Sequence, residues 1–247
     1  MTDQMKPKVA LVTGASRGIG AAIATRLAKD GFTVVINYAG NTAEAEKLAA
    51  SIEDAGGHAL TAQADVADPS AVARMWDAAE TAFGGVDVLV NNAGVMKLAT
   101  IAEGDDALFD SQIAINLKGP RNTMKVAATR LREGGRVINL SSSVVGLYQP
   151  TYGVYAATKA GVEAMTHVLA KELRGRKITV NAIAPGPTAT ALFLDGKPQS
   201  VVDNLTKLAP LERLGQPEDI ANAVAFLAGP DGAWINGQVI RANGGII

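Results

Sequence analysis

The stretch Val9-Ala10-Leu11-Val12-Thr13-Gly14-Ala15-Ser16-Arg17-Gly18-Ile19-Gly20 decides the fold. Val9–Thr13 is a short apolar, β-branched run and reads as a buried strand. Gly18–Lys29 is Ala-rich and periodic and reads as a helix. Between them, Gly14, Gly18 and Gly20 allow a tight turn and a close approach of backbone to a phosphate, while the helix start presents free N–H groups to the anion. The spacing is Gly-x-x-x-Gly-x-Gly rather than Gly-x-Gly-x-x-Gly. The strand before and the helix after supply the context that a nucleotide-binding turn requires.

The same alternation repeats along the chain. Strands are expected at Thr33–Asn37, His58–Ala62, Val86–Asn91, Arg136–Leu140, Ile178–Ile183 and Gln238–Arg241. Helices are expected at Ala43–Ala55, Ser70–Phe83, Ala107–Leu131, Thr151–Leu173 and Pro217–Leu227. This pattern predicts an α/β fold: a doubly wound parallel sheet of Rossmann type, in three layers. With 247 residues, 48% hydrophobic and 19% charged, the chain suits one domain over residues 1–247. Pro185–Pro210 holds four prolines between a strand and the last helix. It reads as a lid with short helices of its own, at about residues 188–213.

Composition narrows the function. A net charge of −1 gives no footprint for nucleic acid or an anionic membrane. The absence of cysteine removes disulfides, thiolate nucleophiles and Cys-based metal sites. His58 and His167 stand alone on a strand start and a helix, so structural roles and no metal are expected. Met1–Lys8 is polar and no apolar run could span a bilayer, which makes a cytoplasmic protein the default.

The second strand ends Ile36-Asn37-Tyr38-Ala39 with no acid to bind the ribose 2′-hydroxyl of NAD. Arg17 sits in the glycine turn, where a guanidinium can meet a 2′-phosphate. Both points favour NADP(H) on charge grounds, against a merely solvated arginine. Asp65-Val66, after the third strand, is expected beside the adenine, with Asp68 as the better candidate for a helix cap before Pro69.

Tyr155 has Lys159 four residues on, so a helix would put both on one face, about 5–6 Å apart at Cβ. An ammonium there would favour the phenolate and bring the phenol toward working pH. An ordinary surface lysine near a half-buried tyrosine fits the same spacing.

Thr13–Gly20, Asn91-Asn92-Ala93-Gly94, the cluster Ser141-Ser142-Ser143 and Tyr155-x-x-x-Lys159 occur in the order of one family. The chain resembles the short-chain dehydrogenase/reductases over nearly its whole length, continuing through Asn181–Gly186, Trp234–Gly237 and Asn243–Gly245. The tract Val34–Tyr38 is similar to that of NADPH-dependent carbonyl reductases of the family. The resemblance implies that Tyr155 is the acid–base residue and that Lys159 lowers its pKa and holds the nicotinamide ribose. It implies that Asn116 supports a water relay and that a serine binds the substrate oxygen. Counting from Gly135-Arg136 and back from Tyr155 selects Ser142, whereas Val144-Val145-Gly146 would select Ser143. Asn92, Ala93, Gly94, Pro185 and Gly186 would lie along the cofactor. Thr188 would bond the carboxamide or phosphates, or cap the lid helix. Met96, Leu147, Leu192 and Phe193 read as pocket wall. Tyr148 and Tyr152 would line the cleft or pack.

The expected activity is reduction of a ketone or aldehyde by hydride transfer from NADPH. A 3-oxoacyl carrier-protein reductase is the main rival, and a non-catalytic NADP(H)-binding sensor is the alternative of another class. The family commonly assembles as tetramers through its two long helices, so a homotetramer or dimer is expected, with the apolar end Gly244-Gly245-Ile246-Ile247 packed.

Overall fold

The computed structural model describes residues 7–247, so most of the polar opening Met1–Lys8 lies outside the described residues. Seven strands form one parallel sheet in the order β3-β2-β1-β4-β5-β6-β7. They are β1 Val9–Val12, β2 Thr33–Tyr38, β3 His58–Gln63, β4 Val88–Asn91, β5 Arg136–Leu140, β6 Thr179–Pro185 and β7 Val239–Ala242. The order reverses between β1 and β4, so their carboxyl ends, Thr13 and Asn92, open the crevice where such sheets bind ligands.

The helices are α1 Gly18–Lys29, α2 Thr42–Asp54, α3 Pro69–Phe83, α4 Asp106–Gln112, α5 Gly119–Arg130, α6 Val144–Leu147, α7 Gly153–Glu172, α8 Ala191–Leu194, α9 Gln199–Leu208 and α10 Pro217–Ala228. Side chains alternate across the sheet with period two, and two cores result. Val12, Val34 and Ile36 pack with α1, α2 and α10 on one face, whereas Leu11, Val35 and Leu89 pack with α3, α5 and α7 on the other. Local chemistry sets the ends. Asn41, Asp68 and Asp105 cap α2, α3 and α4 by accepting backbone N–H bonds, and Gly84 ends α3 at φ 78°.

Two elements depart from expectation. The long helix over 107–131 is α4 and α5 joined by a π-helical stretch, Ile113–Lys118, a wider turn often found at functional sites. The four-residue helix α6 follows directly from the serine cluster, where no helix was expected. The segment between β6 and α10 carries two helices, α8 and α9.

Candidate active site

The glycine turn is held by asparagines from neighbouring strands. Asn92 Nδ2 donates to the carbonyls of Thr13 (2.9 Å) and Gly14 (3.0 Å), and Thr13 Oγ1 accepts from the N–H groups of Asn92 (3.0 Å) and Ala93 (3.1 Å). Gly14 is at φ +61°, and a Cβ there would stand 2.8 Å from Ala93 Cα; one at Gly20 would stand 2.5 Å from Asn92 Nδ2. No side chain caps the start of α1, so its first amides are left for another acceptor.

These residues border a groove of about 500 Å³ that also touches Ser16, Arg17, Gly18, Ile19, Tyr38, Ala39, Asp65, Val66 and Gly94. A backbone cradle closed to any Cβ, an uncapped helix start, an exposed Arg17 and no acid at the end of β2 suit a phosphorylated dinucleotide. Asn37 enters this groove differently from expectation. It is buried, with Oδ1 accepting from Gly14 N (3.2 Å) and Nδ2 donating to Ala62 and Ala64 carbonyls at 3.1 and 3.0 Å. Its side chain ties β2, β3 and the turn together, which leaves little for a ligand. Asp68, not Asp65, caps α3.

The groove runs into a second cleft of about 150 Å³, whose walls include Met96, Ser142, Leu147, Tyr152, Tyr155, Lys159, Pro185, Gly186, Thr188, Leu192, Phe193 and Leu205. Thr190 and Leu192 border both. Thr190, not Thr188, caps α8; Thr188 Oγ1 donates to Gly186 O at 2.9 Å. Tyr148 faces solvent at 76% exposure and is not part of the cleft wall.

The three serines separate by their partners. Ser141 Oγ donates to Glu163 Oε1 at 2.6 Å, while Ser143 Oγ donates to Ala184 O at 3.2 Å and accepts from Asn243 Nδ2 at 3.0 Å. Ser142 lies against the Tyr155 hydroxyl, where it favours the phenolate. On α7, Lys159 is buried, donates to Leu140 O at 2.8 Å and lies 5.7 Å from the Tyr155 ring centre.

The expected lowering of the tyrosine pKa is not what this geometry produces. Burial pushes the Tyr155 phenol up to about 12 despite Ser142, and burial pushes Lys159 down to about 8. The lysine's ammonium is bonded to the Leu140 carbonyl.

Asn116 lies in the π-helical stretch and is fully buried, with both ends of its amide bonded to the Val95 backbone. A Cβ on Gly94 would stand 3.3 Å from Asn116 Oδ1 and 3.8 Å from Lys159 Nζ, so this glycine separates the two side chains. His167 Nδ1 meets Gly237 O at 2.9 Å and His58 is exposed near Glu53, both structural settings. No group of acidic residues and histidines among the described residues could hold a metal. Sequence reasoning missed Glu163, although it repeats the four-residue step from Tyr155 through Lys159, and missed Gln149 and Leu205 in the cleft wall.

A parallel sheet with a glycine-cradled groove at its switch point, leading to a Ser-Tyr-Lys cluster, defines a nucleotide-binding oxidoreductase fold. The chain belongs to the short-chain dehydrogenase/reductase family. Residues 14–247 match a family model described as enoyl-(acyl carrier protein) reductase. A short-chain type dehydrogenase/reductase of Picea abies is 48% identical, over 96% of this chain and 92% of the relative. An NADPH-dependent aldehyde reductase-like protein, chloroplastic, of Arabidopsis thaliana is 46% identical over 97% and 94%. A short chain dehydrogenase from Burkholderia cenocepacia, solved in complex with NADP, superposes with a TM-score of 0.93 at 37% identity, covering 99% of each chain. No helix among the described residues is long and apolar enough to cross a membrane.

Proposed function

We propose that this oxidoreductase reduces a ketone or aldehyde to an alcohol with NADPH. The observation that carries the reading is the meeting of Ser142, Tyr155 and Lys159 in an apolar cleft continuous with the glycine-cradled groove. NADP(H) as the partner of that groove is supported by Arg17, by the missing acid after Ile36 and by the cofactors named for the Arabidopsis and Burkholderia relatives.

When bound, NADPH supplies the hydride that the carbonyl carbon accepts. Tyr155 gives its proton to the carbonyl oxygen as charge develops there; a phenol pushed up to about 12 is fully protonated at neutral pH and so is ready to act as acid. Ser142 donates a hydrogen bond to the same oxygen and fixes its position. Lys159, 5.7 Å from the Tyr155 ring centre, supplies positive charge near the phenolate that Tyr155 leaves behind. Both ends of the Asn116 amide are bonded to Val95, so this side chain acts by holding that segment.

Tyr155→Phe tests the reading. Turnover of a ketone and aldehyde panel should fall by roughly 10²–10⁴-fold while NADPH binding is kept; substantial residual turnover would remove Tyr155 as the acid. NADPH binding by the wild-type protein without turnover of any carbonyl would support the sensor reading. A 3-oxoacyl carrier-protein thioester is the second substrate proposed; the matching family model's description names an acyl carrier protein, and turnover of that thioester alone would select it. Assembly as a homotetramer rests on the family resemblance and is tested by light scattering. The cytoplasm is the proposed compartment; the chloroplastic name of the Arabidopsis relative makes organelle import the competing outcome of a localisation experiment.

A further inference from the structure

The walls of the substrate cleft hold few polar side chains, and nearly all are bonded to protein. Its asparagine, two of its three serines and both threonines are engaged as described above. Ser142, Tyr155 and Lys159 belong to the reacting carbonyl. Two groups are left: the Gln149 amide and the Tyr152 hydroxyl, which face the cleft and have no hydrogen-bond partner among the described residues.

These two are neighbours. Tyr152 N donates to Gln149 O at 3.3 Å, at the entrance to α7. The Tyr152 ring stands edge-on to Tyr155, with ring centres 6.5 Å apart. Gln149, Tyr152 and Tyr155 line the same cleft, so one small molecule seated there can meet the acid and this pair together. Each can donate and accept. Burial pushes the Tyr152 phenol up, so it remains a neutral hydroxyl. Lys159 is the only cationic side chain in the wall, and its ammonium is held by Leu140 O. A carboxylate entering the far end would lose its water and find no free cation, because the Lys197 ammonium over the Phe193 ring is itself bonded to Phe193 O. A pocket whose walls are otherwise Met96, Leu147, Leu192, Phe193 and Leu205 orients its ligand through whatever polar groups remain free.

We propose that Gln149 and Tyr152 select substrates with a second, uncharged oxygen a few bonds from the reacting carbonyl, such as hydroxy ketones or diketones, over plain ketones and oxo acids. The proposal rests on the carbonyl-reductase reading and adds specificity residues to it.

The test compares matched probes: 4-hydroxybutan-2-one with pentan-2-one and 5-hydroxypentan-2-one with hexan-2-one, which exchange OH for CH₃, plus anionic 4-oxopentanoate. The wild-type protein should prefer the better hydroxy ketone of the two pairs by roughly tenfold in kcat/KM, about the worth of one hydrogen bond, and should use 4-oxopentanoate least. In Tyr152→Phe and Gln149→Leu the preference should shrink several-fold, and in the double variant it should approach one. Turnover of the plain ketones with no hydroxy preference, or a preference that survives the double variant, would overturn the proposal and leave the reductase reading standing. NADPH binding with no turnover of any carbonyl would sink the reductase reading, and this proposal with it.

Discussion

Asn116 and Val95 exchange two hydrogen bonds: Asn116 Oδ1 accepts from Val95 N at 2.8 Å, and Asn116 Nδ2 donates to Val95 O at 2.8 Å. A side-chain amide thus completes the backbone of the segment between Gly94, in the groove, and Met96, in the cleft wall. Asn116→Ala would leave both Val95 groups unpaired where water enters poorly, costing about 2 kcal/mol. The denaturation midpoint should fall and KM for substrate should rise as Met96 loosens. An unchanged midpoint would show that the pair is dispensable.

The serines should divide by function. Ser142→Ala should lower kcat by roughly 10²-fold with the melting temperature kept, as expected for loss of one donor to the developing oxyanion. Ser143→Ala should instead cost about 1 kcal/mol of stability, because it breaks the contacts to Ala184 and Asn243, and should keep most of kcat. A stable, inactive Ser143→Ala would reverse the assignment.

Glu163 holds the serine loop from the next turn of α7 after Lys159. Consecutive turns of this helix grip Leu140 and Ser141, which sets Ser142 against Tyr155. Glu163→Gln keeps an acceptor for Ser141 and should retain most activity. Glu163→Leu should lower kcat about tenfold, near the worth of one hydrogen bond to a charged group, with little change in the KM for NADPH. Equal losses in both variants would point to the charge rather than to the hold on Ser141.

Lys159 and Tyr155 give opposite pH signs. The lysine's ordinary value of 10.5 falls to about 8 in the fold. Below pH 8 the fold bears a buried charge; between 8 and 10.5 the unfolded chain binds the extra proton, so this group makes stability rise with pH. Tyr155 goes from 10.0 to about 12, so its contribution is present below pH 10 and lost between 10 and 12. Reductive kcat/KM should decline above about pH 8 as the ammonium is lost. Lys159→Met should remove the rise in stability between pH 8 and 10, and a rise that persists would place its source elsewhere.

Arg17 should carry the cofactor choice. Arg17→Ser should weaken NADPH binding by about tenfold or more through loss of a guanidinium–phosphate pair, with little effect on NADH. Titration of both nucleotides checks this, and equal weakening would show a structural role for Arg17.

The sheet was legible because each strand is a short β-branched run and each helix a periodic one. The π-helical turn was hidden: Ile113–Lys118 has an ordinary helical pattern, and its widening depends on how Asn116 reaches Val95. Asn37 was read as a cofactor residue from its place at the end of β2; it does border the groove, but its buried amide also accepts from the Gly14 N–H of the turn and donates to the Ala62 and Ala64 carbonyls. Such partners lie more than twenty residues away and leave no local trace.

What this chain's sequence determined alone was the strand–glycine turn–helix unit, the parallel alternation and the four-residue step from Tyr155 to Lys159, because each arises from periodicity or backbone sterics within a few residues. Tertiary structure decided that Ser141 bonds Glu163 and Ser143 bonds Ala184 and Asn243, that the Lys159 ammonium bonds the Leu140 carbonyl, and that Gln149 and Tyr152 line the same cleft as Tyr155. These depend on burial and on hydrogen-bond partners brought together from distant strands and helices, and burial is a property of the folded chain as a whole.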